Sequence, residues 1–421
     1  MNKLLPIREA QEKILSSINI SGAELCLVEH AYGRILAENV FSPLDLPSFS
    51  NSSMDGFAVY AKDIADASPT SPVQLPVAMD IPAGFALDGA LTPGTAARIL
   101  TGAPVPAGAY AVVPIENTDQ SPETQSAALP DSVTILTSAR AGENIRLARE
   151  DVQKGQLILA EGRNLQPQDI GLLISLGIRQ VRVSRKMRVA LFSSGNELLT
   201  PDQPISPGKI YDANRYVLTG SLEDAGAEVI QLGIARDDPE SVIATLDKAL
   251  ENPPDLIISS AGVSVGVFDF VQQVIKKNGS LTFWKVNMRP GKPIAFGDYK
   301  GIPFLGLPGN PVSAYIGCIV FVLPCIRHSQ GLPPFAQKTI KAVLTEPLVS
   351  PDGRESFYRG IIRHENGIYK ASLTGHQGSG NLFSLVQANA LLIVPAGVKL
   401  IPAGAEITAW ALDSNLDDQI K

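Results

Sequence analysis

The chain has 421 residues, 45% of them hydrophobic and 18% charged, with 36 glycines and 32 prolines. That length exceeds one ordinary core, so several domains are expected, and the apolar content excludes a disordered chain. A net charge of −7 without any basic run argues against nucleic acid as a partner.

Taken in chain order, the N-terminal segment carries Arg8, Glu9 and Glu12 where a secretory leader needs an apolar run. Residues 6–19 instead place Ile7, Ala10, Ile14, Leu15 and Ile18 on one helical face. Between residues 42 and 150, short apolar runs at 56–59, 96–100, 110–115 and 133–136 alternate with Pro, Gly and Ser turns. That spacing predicts a small β-barrel or sandwich, followed by a short helix at 169–176. From residue 188 the pattern becomes strand, helix, strand. Strands are predicted at 188–192, 228–233, 256–259, 281–286 and 303–307, and helices at 214–225, 268–277 and 311–326. A further helix starts at Asp238-Pro239, with Asp as the N-cap and Pro at the first helical position. Alternation of this kind predicts a doubly wound, mostly parallel sheet. The apolar run 314–326 is short and broken by Pro324, so it reads as a core helix, not a membrane span. Cys318 and Cys325 fall within it, where core packing is the expected role. The only other cysteine is Cys26 and no CxxC pair exists, which fits a reducing, cytoplasmic setting. Beyond Pro333 alternating strands return, for example at 390–394, predicting a small terminal β-domain.

In a doubly wound sheet, ligands sit beyond the carboxyl ends of the strands. Here those ends carry Glu197, then Asp237 and Asp238, then a turn from Gly262 to Gly266 with Asp269. Asp238 before Pro239 reads as a helix cap. Carboxylate oxygens at one edge suit Mg²⁺, while four scattered histidines disfavour a histidine-rich zinc site. Residues 262–266 also match G-x-S-x-G, which raises a serine hydrolase with Ser264 as nucleophile. No acid-then-histidine pair is suitably placed and no HGG segment precedes it, so an anion-binding turn with Ser264 as a hydrogen-bond donor is preferred. Lys285, Arg289 and Lys292 follow, the last two in a stretch stiffened by Pro290 and Pro293, and a second Gly/Pro/Asn loop contains Asn310. Rigidly placed Arg and Lys suit phosphate or another oxyanion. In the β-rich part, the loops around Asp55, Thr101, Arg146 and Asp151 have exposed polar tips to which composition assigns no role.

Together these segments resemble the molybdopterin molybdotransferase family, MoeA in bacteria and the gephyrin E-domain in animals. The resemblance covers nearly the whole chain. It rests on SSMDGFA at 52–58, PAG at 82–84, RILTGAPVPAG at 98–108, NIR and ED within 144–151, and SSGNEL at 193–198. It continues through IYDANRYVL at 210–218, AGVSVGVFD at 261–269, RPGKP at 289–293, LPGNPVSA at 307–314 and QGSGNL at 377–382. It implies a multi-domain α/β plus β fold: a connecting domain from 1–41 with 150–179, a β-rich barrel-like domain at 42–149, an α/β domain at 180–330, and a C-terminal β-barrel-like domain at 331–421.

The activity implied is insertion of molybdate into adenylylated molybdopterin, with Mg²⁺-assisted release of AMP. The implied assembly is a cytoplasmic homodimer, with the molybdopterin adenylyltransferase as a further partner. By resemblance, Asp55, Thr101, Arg146 and Asp151 reach the cleft from the partner chain. Glu197, Asp237, Asp269 and Lys285 line it from the α/β side, with Asp237 and Asp269 as metal ligands. Ser264, Lys292, Arg359 and Ser379 hold molybdate, and Gly262, Gly266, Arg289 and Asn310 complete the substrate-binding set. Val267, Tyr110, Arg149 and Arg289 depart from the family pattern, the last keeping its charge. A non-catalytic protein that binds cofactor intermediates, or a scaffold, is the alternative. The acids and cations at matching positions favour the enzyme.

Overall fold

The computed structural model describes residues 4–85, 89–121, 128–262 and 270–412. The chain divides into two compact units, one built from Met1–Glu24, Gly33–Ile35 and Val183–Lys421 and the other from Leu25–Tyr32 and Leu36–Arg182.

The first unit holds a six-stranded sheet ordered Glu228–Ala235, Arg188–Ser194, Leu256–Ser260, Ile302–Leu307, Pro293–Tyr299, Gly279–Lys285. The first four strands run parallel and the last two pair antiparallel. Successive side chains of a strand point to opposite faces, so a strand covered on both sides is apolar throughout. Val189, Leu191, Leu256 and Ile258 accordingly join Leu218, Leu222, Val312 and Ile316 in one core. Ala190, Phe192, Ile257 and Phe304 join Val242, Leu246, Val271 and Ile275 in the other. The helix Pro239–Lys248 starts as expected, with the Asp238 carboxylate accepting from the Ser241 N–H at 2.7 Å.

The sheet departs from expectation at one edge. Pro293–Tyr299 is a strand that the flanking Pro and Gly residues conceal in the sequence. It turns into Ile302–Leu307 through Lys300-Gly301, both at positive φ (50° and 87°). A two-residue loop with both φ positive matches the right-handed strand twist, and so makes this edge an antiparallel hairpin.

Pro311–Ser329 is long and apolar enough to cross a membrane, yet 78% of its most apolar stretch is buried inside the protein, which makes it a core helix. Its turns widen over Cys318–Val322, just before Pro324. Proline has no N–H to give the carbonyl four residues back. The Val320 carbonyl accepts instead from the buried Gln11 side chain at 2.9 Å, which fixes the N-terminal helix Ile7–Leu15 against it.

A second sheet in the same unit comprises Met288–Arg289, Glu355–Glu365, Ile368–Leu373, Thr339–Leu344, Glu406–Ala411 and Ala390–Val394. Its last strand pairs back onto Glu355–Glu365, closing it into a barrel. Met288–Arg289 runs parallel to Glu355-Ser356, so the loop Arg289–Pro293 is anchored on the barrel while the strand that follows belongs to the α/β sheet.

The other unit is built on a five-stranded sheet ordered Ala111–Pro114, Gly56–Val59, Ala96–Ile99, Val73–Ile81, Ser132–Ile135. Four of these strands coincide with the apolar runs read from the sequence. The long strand Val73–Ile81 does not, because its polar alternation and Pro76 mask it.

Candidate active site

Two adjoining cavities in the first unit gather seven of the nine candidate residues described there. One, of about 560 Å³, lies at the carboxyl ends of the parallel strands and is lined by Glu197, Asp212, Asn214, Gly262 and Asn310. The other, of about 340 Å³, lies between the α/β sheet and the barrel and is lined by Arg289, Lys292, Arg354, Arg359 and Ser379. Pro293, Pro308 and Asn310 belong to both walls.

In the strand-end cleft, local geometry is set by glycine and by amide side chains. Ala261 and Gly262 both have positive φ (76° and 74°), and a Cβ on Gly262 would stand 2.3 Å from Val271 Cγ2. Only glycine fits there. Asn214 Nδ2 donates to Ser260 Oγ at 2.8 Å and to the Gly309 carbonyl at 2.7 Å, tying the helix Ala213–Asp224 to two strand ends. Asp237 accepts from Ser194 Oγ at 3.3 Å and from the Asn196 N–H at 3.1 Å, while its own N–H donates to Asn196 Oδ1 at 3.2 Å. Its carboxylate therefore joins the ends of two strands. The Glu197 carboxylate folds over Gly195, where a Cβ would come within 2.6 Å of it.

Asp212 is only 2% exposed and caps the helix Ala213–Asp224, accepting from the Arg215 N–H at 3.2 Å. Its second oxygen, Oδ2, is buried without a hydrogen-bond partner among the described residues. An unpaired buried carboxylate oxygen is costly. Asp212 was not singled out from sequence. The signal was its place inside IYDANRYVL, which reads as a strand end and a helix cap.

The second cavity is cationic. Arg359 is 1% exposed; its Nε donates to Ser384 Oγ and its Nη2 to the Gly378 carbonyl, both at 3.0 Å. Among the described residues no carboxylate pairs with it, and burial pushes its guanidinium down to about 10. Ser379 receives a hydrogen bond from Asn310 Nδ2 at 3.0 Å, linking this cavity to the strand-end cleft. Lys292 is exposed and lines the cationic cavity, whereas Lys285, also exposed, lies at a strand end and lines neither cavity. Ser264, Gly266, Val267 and Asp269 lie outside the described residues. Arg354, in a stretch that reads as a surface turn, is a further lining residue that sequence reasoning missed.

In the other unit, Asp55 accepts from Thr101 through both its N–H (2.6 Å) and its Oγ1 (2.7 Å). Arg146 pairs with Asp151, both about half exposed, and Arg149, at φ 70°, pairs with Asp45 at 2.9 Å.

Three family profiles match in chain order: the MoeA N-terminal region (domains I and II) over residues 5–177, a probable molybdopterin binding domain over 190–328, and the MoeA C-terminal region (domain IV) over 341–412. A molybdopterin molybdenumtransferase 2 of Mycobacterium tuberculosis is 41% identical over 388 residues, spanning 91% of this chain and 93% of the relative. The chain belongs to the MoeA family of molybdopterin molybdenumtransferases. A Haemophilus influenzae molybdopterin molybdenumtransferase is 34% identical over 96% of this chain and 98% of its own. The crystal structure of the molybdopterin biosynthesis MoeA protein from Pyrococcus horikoshii is 32% identical, with a TM-score of 0.80 over 98% of this chain and all of that one. As a MoeA family member, this chain is a transferase of molybdenum cofactor biosynthesis.

The carboxylates present can be set against a magnesium ion. Among the described residues no three or more His, Cys, Asp or Glu side chains gather as a ready metal cage. Mg²⁺ does not require one, since it keeps several waters and is commonly held by one or two carboxylates plus substrate phosphates. Glu197 and Asp237, at adjacent strand ends, supply that kind of donor set.

Proposed function

We propose that this enzyme inserts molybdate into adenylylated molybdopterin with magnesium-assisted release of AMP. The observation that carries the reading is Arg359, a fully buried guanidinium without a carboxylate partner among the described residues, beside Lys292 and Ser379 in a cavity that adjoins a carboxylate-lined cleft. A buried cation left uncompensated by the protein favours an anion of matching size. A tetrahedral dianion such as molybdate meets that demand, accepting hydrogen bonds from guanidinium, ammonium and hydroxyl groups. The adenylylated phosphates then belong in the strand-end cleft, where the Gly262 turn begins.

The chain's own contribution is positioning and electrostatics. Arg359 and Lys292 orient molybdate, with Ser379 and Ser264 as hydroxyl donors. Arg289 and Asn310 hold the substrate across the wall that the cavities share. Asp237 fixes the strand ends, and Asp269 and Glu197 flank the phosphates. Lys285, exposed at a strand end outside both cavities, extends its ammonium toward the phosphoanhydride as water cleaves it to AMP and a molybdopterin phosphate. Asp237 and Asp269, with Glu197 close to Asp237, would hold magnesium, which would supply charge neutralisation at the phosphates. The enzyme acts in the cytoplasm as a homodimer in which Asp55, Thr101, Arg146 and Asp151 of one subunit serve the other's cleft. It receives its substrate from the molybdopterin adenylyltransferase.

The test is AMP release from adenylylated molybdopterin by the purified protein, with and without molybdate. Wild-type release depends on molybdate, and Arg359→Met lowers it by about 10²-fold or more. Release that ignores molybdate, or survives in Arg359→Met, would remove the reading.

A further inference from the structure

The cationic cavity contains two arginines in opposite situations, and the contrast assigns them different work. Among the described residues, Arg359 directs its guanidinium to a hydroxyl and a carbonyl. Arg354 is bonded at all three of its nitrogens: its Nε donates to Asp352 Oδ2 at 2.9 Å, its Nη2 also bonds that carboxylate, and its Nη1 donates to the Met288 carbonyl at 3.1 Å. Asp352 in turn lies 3.8 Å from Arg289 Nη1 and accepts from the Arg354 N–H at 3.3 Å.

These bonds all converge on the loop that carries Arg289 and Lys292. Met288–Arg289 pairs with Glu355-Ser356 of the barrel, and the Val286 N–H closes the loop on the Lys292 carbonyl at 2.9 Å. Arg354 fastens the start of that loop through the Met288 carbonyl, and Asp352 holds Arg354 and Arg289 together. A planar fork bonded on three nitrogens loses its freedom to turn toward a ligand, and fixes whatever it is bonded to.

We propose that Asp352 and Arg354 form a clamp that positions the loop Arg289–Lys292 for oxyanion binding, with neither side chain touching the oxyanion. The clamp sets how well the cavity grips molybdate by fixing where its cations stand. This inference rests on the cavity being the molybdate site.

Electrostatics and positioning predict opposite signs for one substitution, which makes the clamp testable. Asp352→Asn removes a negative charge beside an anion site. If Asp352 acted only through its charge, or if Arg354 bound the anion directly, molybdate would bind more tightly. If Asp352 positions the cations, the loosened fork weakens binding despite the gain in positive charge.

The experiment is equilibrium dialysis of the full chain against radiolabelled molybdate, with thermal midpoints measured in parallel. Asp352→Asn is expected to weaken molybdate binding about fivefold to tenfold, and Arg354→Met more strongly, each giving a higher KM for molybdate with kcat at saturation nearly unchanged. Unchanged or tighter binding by Asp352→Asn overturns the clamp, even if Arg354→Met fails to fold. Arg359→Met separates the two levels of the argument. Equal binding by wild type and Arg359→Met, or none by wild type, refutes the molybdate assignment itself, and the clamp falls with it.

Discussion

The two adjoining cavities are built from opposite charges, yet the same rule picks out the groups of interest in each. In the strand-end cleft, Asp237 spends its carboxylate on Ser194 and Asn196, and neighbouring Asp238 spends its own on a helix cap. Asp212 is also a cap, but one of its oxygens is buried with no partner among the described residues. In the cationic cavity, Arg354 is neutralised by Asp352 whereas Arg359 has no acidic partner among the described residues. Local structure engages Asp237, Asp238 and Arg354. Asp212 on one side and Arg359 on the other are buried ionisable groups whose bonding capacity is unmet among the described residues, and there a ligand has something to supply.

The sharpest way to break the cleft side of this comparison is through its backbone. Gly262→Ala forces a side chain onto a residue at φ 74° and places its Cβ 2.3 Å from Val271 Cγ2. The strain and the collision together are expected to destabilise the fold by about 2–4 kcal/mol, measured by urea unfolding. AMP release should fall with it. Adding Val271→Ala removes the collision but not the strained φ, so the double variant should recover part of the stability. A single variant as stable as wild type would mean that the turn at Ala261-Gly262 is not as rigid as its packing implies.

A smaller effect, of more interest, is expected at Asp212. Asp212→Asn keeps an oxygen for the Arg215 N–H, so the cap survives. It replaces the buried carboxyl oxygen that has no partner among the described residues. Stability should rise by about 1–2 kcal/mol while AMP release falls roughly tenfold, the trade expected of a group held for function. A rise in stability with full activity would reduce Asp212 to a helix cap that happens to line the cleft.

Much of this architecture was legible because both faces of the α/β sheet are covered. Apolar runs such as Val189–Phe192 have no other reason to be continuous, and Asp238-Pro239 announces its helix directly. The hairpin through Lys300-Gly301 was not legible, since nothing in that dipeptide demands an antiparallel return. Val73–Ile81 was hidden by its polar alternation. For the site, residue types were readable but their compensation was not. That Asp237 is engaged depends on two strand ends lying side by side. That Arg359 lacks an acidic neighbour depends on how the barrel closes around it. The clamp at Asp352-Gly353-Arg354 reads in sequence as an exposed turn, because its purpose lies in Met288, far away in the chain.

The smallest expected effect concerns that clamp and its pH dependence. The Arg354 fork, opposed by partial burial and assisted by Arg289, holds the Asp352 carboxyl below the usual carboxylate range. A carboxylate whose folded pKa is depressed contributes stability that is fully present above its unfolded pKa, roughly 3.9, and is lost as pH falls through the lower folded value. Between pH 5 and 8, therefore, the stability difference between wild type and Asp352→Asn should be flat, taking roughly one unit above that unfolded pKa as the limit of titration. Below about pH 4 the difference should shrink, because wild type begins to lose the charge that the variant already lacks. Asp352 is partly exposed, so the change will be small and will diminish further with added salt. Urea midpoints of the two proteins across this range would reveal it. A difference that persisted unchanged into acid would mean that the clamp holds by shape and not by charge. It would then resemble the cap at Asp212 more than the buried, uncompensated cation at Arg359.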